Sequence, residues 1–232
     1  MKVSHDDLVD FVPCLQQAGP KVLLHVGCGT ANPKRMPEIF QGSDWNEIRL
    51  DIDPGVQPDI VADVADMNMV PAGRVDAVWS CHNLEHLDTY AVPAALQEMR
   101  RVLKPGGFLL LHTPDLETLA QLVVQGKLET VMYESPAGPI TPLDMLFGHG
   151  RSLEQGNHYM AHRTGFTQER LGRLLLEAGF AEARVLRGNS YDLWAVAVNA
   201  KEKPGSDHAF MKPGSDPGSL CGSDPGSLTT VL

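Results

Sequence analysis

The chain holds 232 residues, 43% of them hydrophobic and 21% charged, with a formal net charge of −10; that is room for one α/β domain with a single sizeable core, and too little for two ordinary domains with linkers. The acidic balance argues against a broad nucleic-acid surface, because phosphate binding needs clustered Lys and Arg that release counterions. No apolar stretch approaches the roughly 18 residues of a membrane-spanning helix.

In chain order, residues 5–18 are predicted as an amphipathic cap helix. Leu8, Phe11, Val12 and Leu15 recur at helical spacing, interrupted by Pro13 and stopped by Gly19 and Pro20. The first seven residues lack the basic-then-apolar layout of a secretory leader, so a cytoplasmic setting is expected. Cys14, Cys28, Cys81 and Cys221 form no Cys-x-x-Cys pair, and neither a disulfide framework nor a thiolate zinc site is expected.

An apolar run from Val22 stops at Gly27 and Gly29, and the next predicted strand, 48–51, ends in the carboxylate of Asp51, with Asp53 two residues on. Glycines let the backbone turn tightly and approach a ligand where a side chain would collide. An acid about twenty residues beyond such a loop can accept hydrogen bonds from both hydroxyls of a ribose. The same layout serves NAD-dependent oxidoreductases, or a plain turn followed by a surface Asp.

Further apolar runs at 60–63, 75–80 and 108–112 alternate with helical segments, and such alternation implies a parallel sheet with helices on both faces. The clearest helix is 89–103, with Val92, Leu96, Met99 and Leu103 in one stripe and Pro105, Gly106 and Gly107 at its end. Its Arg100 and Arg101, with Lys104, read as a solvated face.

Residues 115–165 break this rhythm: one helical piece over 116–128, then a Pro- and Gly-rich stretch running to His162. Long irregular segments in compact domains are usually functional lids or disordered, and this one is expected to form an acceptor lid. A helix over 168–178 and strands over 183–187 and 192–198 close a domain of residues 1–200. Beyond it, Pro-Gly-Ser recurs at Pro204, Pro213, Pro217 and Pro225. A tail of that composition, 201–232, has little to bury and is expected to be disordered.

The run Ser80-Cys-His-Asn-Leu-Glu-His-Leu87, followed by Met99-Arg-Arg-Val-Leu-Lys-Pro-Gly-Gly107, resembles the class I S-adenosylmethionine-dependent methyltransferases. The resemblance covers about residues 20 to 115 and resumes at 164–171 and 177–180. It implies a doubly wound, mostly parallel seven-stranded sheet with an antiparallel last strand in a three-layer α/β/α fold, S-adenosylmethionine as cofactor and S-adenosylhomocysteine as product. It places Gly27, Cys28 and Gly29 beneath the methionine part of the cofactor. Asp51 falls on the ribose, with Asp53 as a substitute, and Ile52 on the adenine face. Asp63 takes the adenine amino group beside the Val64 backbone, and Ser80 and Cys81 line the cofactor's other edge. The acceptor, a small or sugar-like molecule methylated on oxygen or nitrogen, belongs above the fourth strand, where ligands of open α/β sheets collect.

The chain departs from the family pattern in three ways: His25 stands at the usual acid, Ala31 replaces a third glycine, and Pro33 and Pro37 shorten the following helix. His25 and Ala31 motivate the alternative of a catalytically silent nucleoside-binding or scaffold protein.

Methyl transfer from a sulfonium is an in-line displacement with an excellent leaving group. Alignment can supply about 7–11 kcal/mol, against roughly 3–5 kcal/mol from a general base, so a base is optional. The candidates are His82 and His86, which share a face with Glu85 if the segment is helical. His-x-x-Glu-His resembles the Glu-x-x-Glu-His metal site of ubiquinone-pathway and small-RNA 2′-O-methyltransferases, but His82 replaces its first Glu, and no metal is assigned. His158 and His162, four apart, could complete such a site; they are expected to face solvent.

Overall fold

A computed structural model describes residues 11–16, 19–32 and 36–201. Its main sheet contains β1 (Lys21–Val26), β2 (Trp45–Asp51), β3 (Ile60–Val61), β4 (Val75–Cys81), β5 (Leu103–Pro114), β8 (Glu182–Arg187) and β9 (Asp192–Val198). The seven strands lie in the order β3-β2-β1-β4-β5-β9-β8. The first five are parallel to their neighbours, and β9 runs antiparallel between β5 and β8.

Alternation along the strands divides the core in two, because successive side chains of a strand point to opposite faces. On one face Leu24, Val26, Val78, Leu109 and Leu111 pack against α1 (Val92–Val102) and α5 (Gln168–Glu177). The stripe on α1 that meets them is Val92, Ala95, Leu96, Met99 and Val102, all fully buried. On the other face Leu23, Trp79, Phe108 and Leu110 meet Phe11, Val12, Leu15 and Phe40.

The amino-terminal cap differs from its expected form. Its described part is a 3-10 turn, Pro13–Gln16, since Pro13 offers no amide for a continuing helix; residues 5–10, 17 and 18 lie outside the described residues, as does the tail 202–232. The third strand is two residues long rather than four. Arg101 of α1 and Lys104 at the start of β5 are not simply a solvated face. Arg101 donates to Glu98 and to the carbonyls of Val70 and Met67, and Lys104 donates to both oxygens of Asp76 at 2.9 and 2.8 Å. The Arg101 bonds staple α1 to the loop after β3, and the Lys104 pair ties the start of β5 to β4.

Residues 115–165 are more regular than their composition suggests. They form α2 (Leu116–Val124), a hairpin of β6 (Tyr133–Ser135) and β7 (Gly138–Ile140), then α3 (Pro142–Phe147) and α4 (Gly150–Glu154). Each part has local cause. Asp115 caps α2 by accepting from Glu117 N, and Thr141 with Asp144 makes a reciprocal capping box for α3. Leu119, Leu122, Ile140 and Met145 then bury one another in a small separate core.

Candidate active site

The loop after β1 turns through two left-handed glycines, Gly27 (φ +60°) and Gly29 (φ +56°). At Gly27 an added Cβ would stand 2.5 Å from the Asn83 side chain, so the turn after β4 packs directly on the loop after β1. Asp51, ending β2, accepts from the Gly29 amide at 2.8 Å and from Asp53 N at 3.0 Å. A carboxylate has about four acceptor positions, so two backbone bonds orient Asp51 and leave capacity for a ligand hydroxyl. Asp53 instead caps the turn Pro54–Val56.

The remaining predicted cofactor residues spread along the same edge. Ile52, expected on the adenine face, is exposed at 47%. Asp63 is exposed and accepts from Ala65 N at 2.8 Å, while the Val64 side chain is buried in the core. Ser80 is buried, its hydroxyl without a hydrogen-bond partner among the described residues, and burial pushes the pKa of the Cys28 thiol up to about 11. His25, the departure from the family acid, bonds through Nδ1 to Glu47 Oε1 at 2.7 Å. Burial lowers its pKa, and the Glu47 bond opposes that. The neighbouring strand thus sets a carboxylate against His25. Arg49 closes the loop from outside by donating to the carbonyls of Gly29 and Gln57.

The predicted single face of His82, Glu85 and His86 is corrected by the fold. The segment after Cys81 makes only a 3-10 turn, Leu84–His86, preceded by His82 in the left-handed region at φ +47°. The two histidines are thereby separated. His82 stands edge-on to His112, 4.6 Å between centroids, whereas His86 meets His162 at 4.8 Å. Glu85, 1% exposed, lies between the pairs. It accepts from His82 Nδ1 at 2.9 Å and from the Thr113 hydroxyl at 3.1 Å. Burial pushes its pKa up, yet the His82 bond and the nearby imidazoles outweigh this and hold it down to about 2.

His162 is likewise corrected: it is part-buried, with Nδ1 at 2.9 Å from the Met145 carbonyl, and burial lowers its pKa. His158 is exposed, as expected. Beside Glu85 and His162 opens a cavity of about 270 Å³ walled by Leu116, Leu119, Met145 and Phe147.

Two residues with no expected role complete the centre. His112, late in β5, faces Cys81 Sγ at 3.4 Å through Nδ1 and Asp192 Oδ2 at 2.7 Å through Nε2. Asp192 also accepts from Trp194 Nε1 and Ser190 N. Burial raises its pKa, but these bonds take it down to about 2, and burial lowers that of His112. Both sit in apolar strand patterns; a histidine and an acid entering adjacent strands were the only sequence signal.

The family described as "Methyltransferase domain" matches residues 5–184. The chain belongs to that family, and its sheet is the Rossmann-like methyltransferase fold. A Methanosarcina mazei S-adenosylmethionine-dependent methyltransferase is 16% identical at a TM-score of 0.53, with 80% of this chain and 95% of that one covered. One from Archaeoglobus fulgidus is 15% identical at 0.52, covering 84% and 92%. A Bordetella parapertussis chain described as a possible exported protein is 15% identical at 0.51, covering 84% and 65%. The chain also spans only half the length of a citrinin polyketide synthase CMeT domain structure. No curated protein sequence matches it. No helix among the described residues is long and apolar enough to cross a membrane.

Proposed function

We propose that this protein transfers a methyl group from S-adenosylmethionine to oxygen or nitrogen of a small-molecule acceptor. The observation that carries the reading is Asp51, oriented by the Gly29 and Asp53 amides at the mouth of a loop whose two left-handed positions are both glycine. Gly27, Cys28 and Gly29 would underlie the methionine part, Asp51 the ribose, Ile52 the adenine face, and Asp63 with Val64 the amino group; Ser80 and Cys81 would border the cofactor. His25 paired with Glu47 supports an intact loop rather than a silent one.

For the acceptor, the cavity beside Glu85 is walled mainly by apolar side chains from α2 and α3. That favours an apolar body over a sugar, with residues 115–165 as the acceptor-binding insertion. His86 would reach this side through the His162 contact, and His82 the other. The formal charge of −10 supports a small molecule over long nucleic acid. The thiols Cys14, Cys28 and Cys81 support a reducing, cytoplasmic setting. Calorimetry with S-adenosylhomocysteine tests the reading: wild type should bind, Asp51→Ala should lose binding, and Asp63→Ala should weaken it less. Equal binding by Asp51→Ala would remove Asp51 from the site.

A further inference from the structure

Cys81, His82 and His112 each offer one ligand atom, all within 4.8 Å of one another. Three features suit a borderline-soft divalent ion. First, the Cys81 Sγ to His112 Nδ1 distance is 3.4 Å. A tetrahedral zinc, with bonds of about 2.3 Å to sulfur and 2.0–2.1 Å to nitrogen, sets its ligands about 3.5 Å apart. Second, each imidazole holds a buried carboxylate on one ring nitrogen and keeps the second for an ion: His82 Nδ1 pairs with Glu85 at 2.9 Å, and His112 Nε2 with Asp192 at 2.7 Å. Carboxylate-braced histidine is the arrangement that fixes tautomer and ring orientation around protein-bound metals. Third, His82 is held at φ +47°, a conformation that survives only where its surroundings over-determine it and that clusters at functional sites.

A second group, Glu85, His86 and His162, also converges within 4.8 Å. It is the weaker candidate, since both Glu85 oxygens already accept bonds, from His82 and from Thr113.

We propose that Cys81, His82 and His112 form a binding site for zinc or a zinc-like divalent ion, with Glu85 and Asp192 as positioning residues. A thiolate and two imidazoles give the donor set of such ions and a poor one for magnesium. Three ligands from the described residues leave a fourth tetrahedral position for an exchangeable group, the pattern of catalytic rather than structural zinc. On the methyltransferase reading, that position would take an acceptor hydroxyl and make its proton easier to lose; ion binding itself does not depend on that reading.

Cobalt(II), zinc's spectroscopic substitute, tests the site when titrated alone into the metal-stripped full chain. One equivalent should bind with the intense visible bands of four-coordinate cobalt and a near-ultraviolet thiolate charge-transfer band, and zinc should displace it. Cys81→Ser should lose the charge-transfer band. His112→Ala should bind at least tenfold more weakly, and Asp192→Asn about 10–100-fold more weakly with its band kept. His158→Ala, at an exposed position, should match wild type. A wild type without the band, a Cys81→Ser protein that keeps it, or unchanged affinity in both His112→Ala and Asp192→Asn would each overturn the site. S-adenosylhomocysteine calorimetry on the same samples reports the cofactor reading separately.

Discussion

His162 reaches across from the insertion to stand edge-on to His86, 4.8 Å between ring centroids. The contact is fastened twice more: His86 Nδ1 bonds the Ala161 carbonyl at 3.1 Å, and the Arg163 and Thr164 amides both donate to the Glu85 carbonyl. The turn after β4 is therefore the anchor on which the end of the insertion is tied.

Removing that tie should loosen the insertion without unfolding the sheet. His162→Ala deletes the bond to the Met145 carbonyl, a loss of about 1 kcal/mol confined to one local unit. Amide exchange over residues 142–162 should speed up several-fold while S-adenosylhomocysteine affinity stays within twofold of wild type. Uniformly faster exchange across β4 and β5 would contradict a local anchor.

Gly27→Ala should damage both stability and the cofactor loop. The left-handed backbone costs about 1–2 kcal/mol for a residue with a Cβ, and that Cβ would stand 2.5 Å from Asn83. Thermal melts should fall by several degrees, with at least tenfold weaker S-adenosylhomocysteine binding. Gly29→Ala, where a Cβ meets nothing within 4 Å, should lose only the backbone part.

Glu85 makes the fold acid-sensitive in a defined window. Its pKa is held down to about 2 from an ordinary 4.5. A depressed carboxylate contributes stability that is complete above the unfolded value and disappears as pH falls through the folded one. The contribution is of order 3 kcal/mol, lost between about pH 4.5 and 2. Urea midpoints of metal-free protein should drop across that range, and Glu85→Gln should be less stable at pH 7 with a flatter acid limb. Parallel acid limbs would place the sensitivity elsewhere.

His25→Asp, which restores the usual family acid, should not improve cofactor binding. It would put a carboxylate against Glu47, whose Oε1 now bonds His25 Nδ1 at 2.7 Å, and like charges at that range repel. We expect lower stability and weaker S-adenosylhomocysteine binding, with recovery in the pair His25→Asp/Glu47→Gln. Tighter binding by the single variant would mean that Glu47 does not substitute for the missing acid.

The elements were legible where periodicity is strong. The stripe Val92, Leu96, Met99 on α1 and the apolar runs of β1, β4 and β5 each state one pattern, and tertiary packing agrees with it. Residues 115–165 were misjudged as irregular because a capping box and a hairpin of three-residue strands leave no period to read. The site followed the same division. Gly27, Gly29 and Asp51 are local signals at a fixed offset. His112, Asp192 and His162 matter only through partners far along the chain, and strand order, not spacing, brings those together. The cysteine spacing likewise hid Cys81, whose neighbours come from β5 and the turn after β4.

The position of β9 between β5 and β8 also bears on how the chain is made. β5 is 12 residues long and almost wholly buried, and its outer side is covered only by β9, among the last described residues. A nascent chain halted before Asp192 presents that long apolar strand with a bare margin, the kind of template that recruits other strands. Truncated products should therefore clump on the ribosome's timescale, and holdase chaperones should favour fragments that end between β5 and β9.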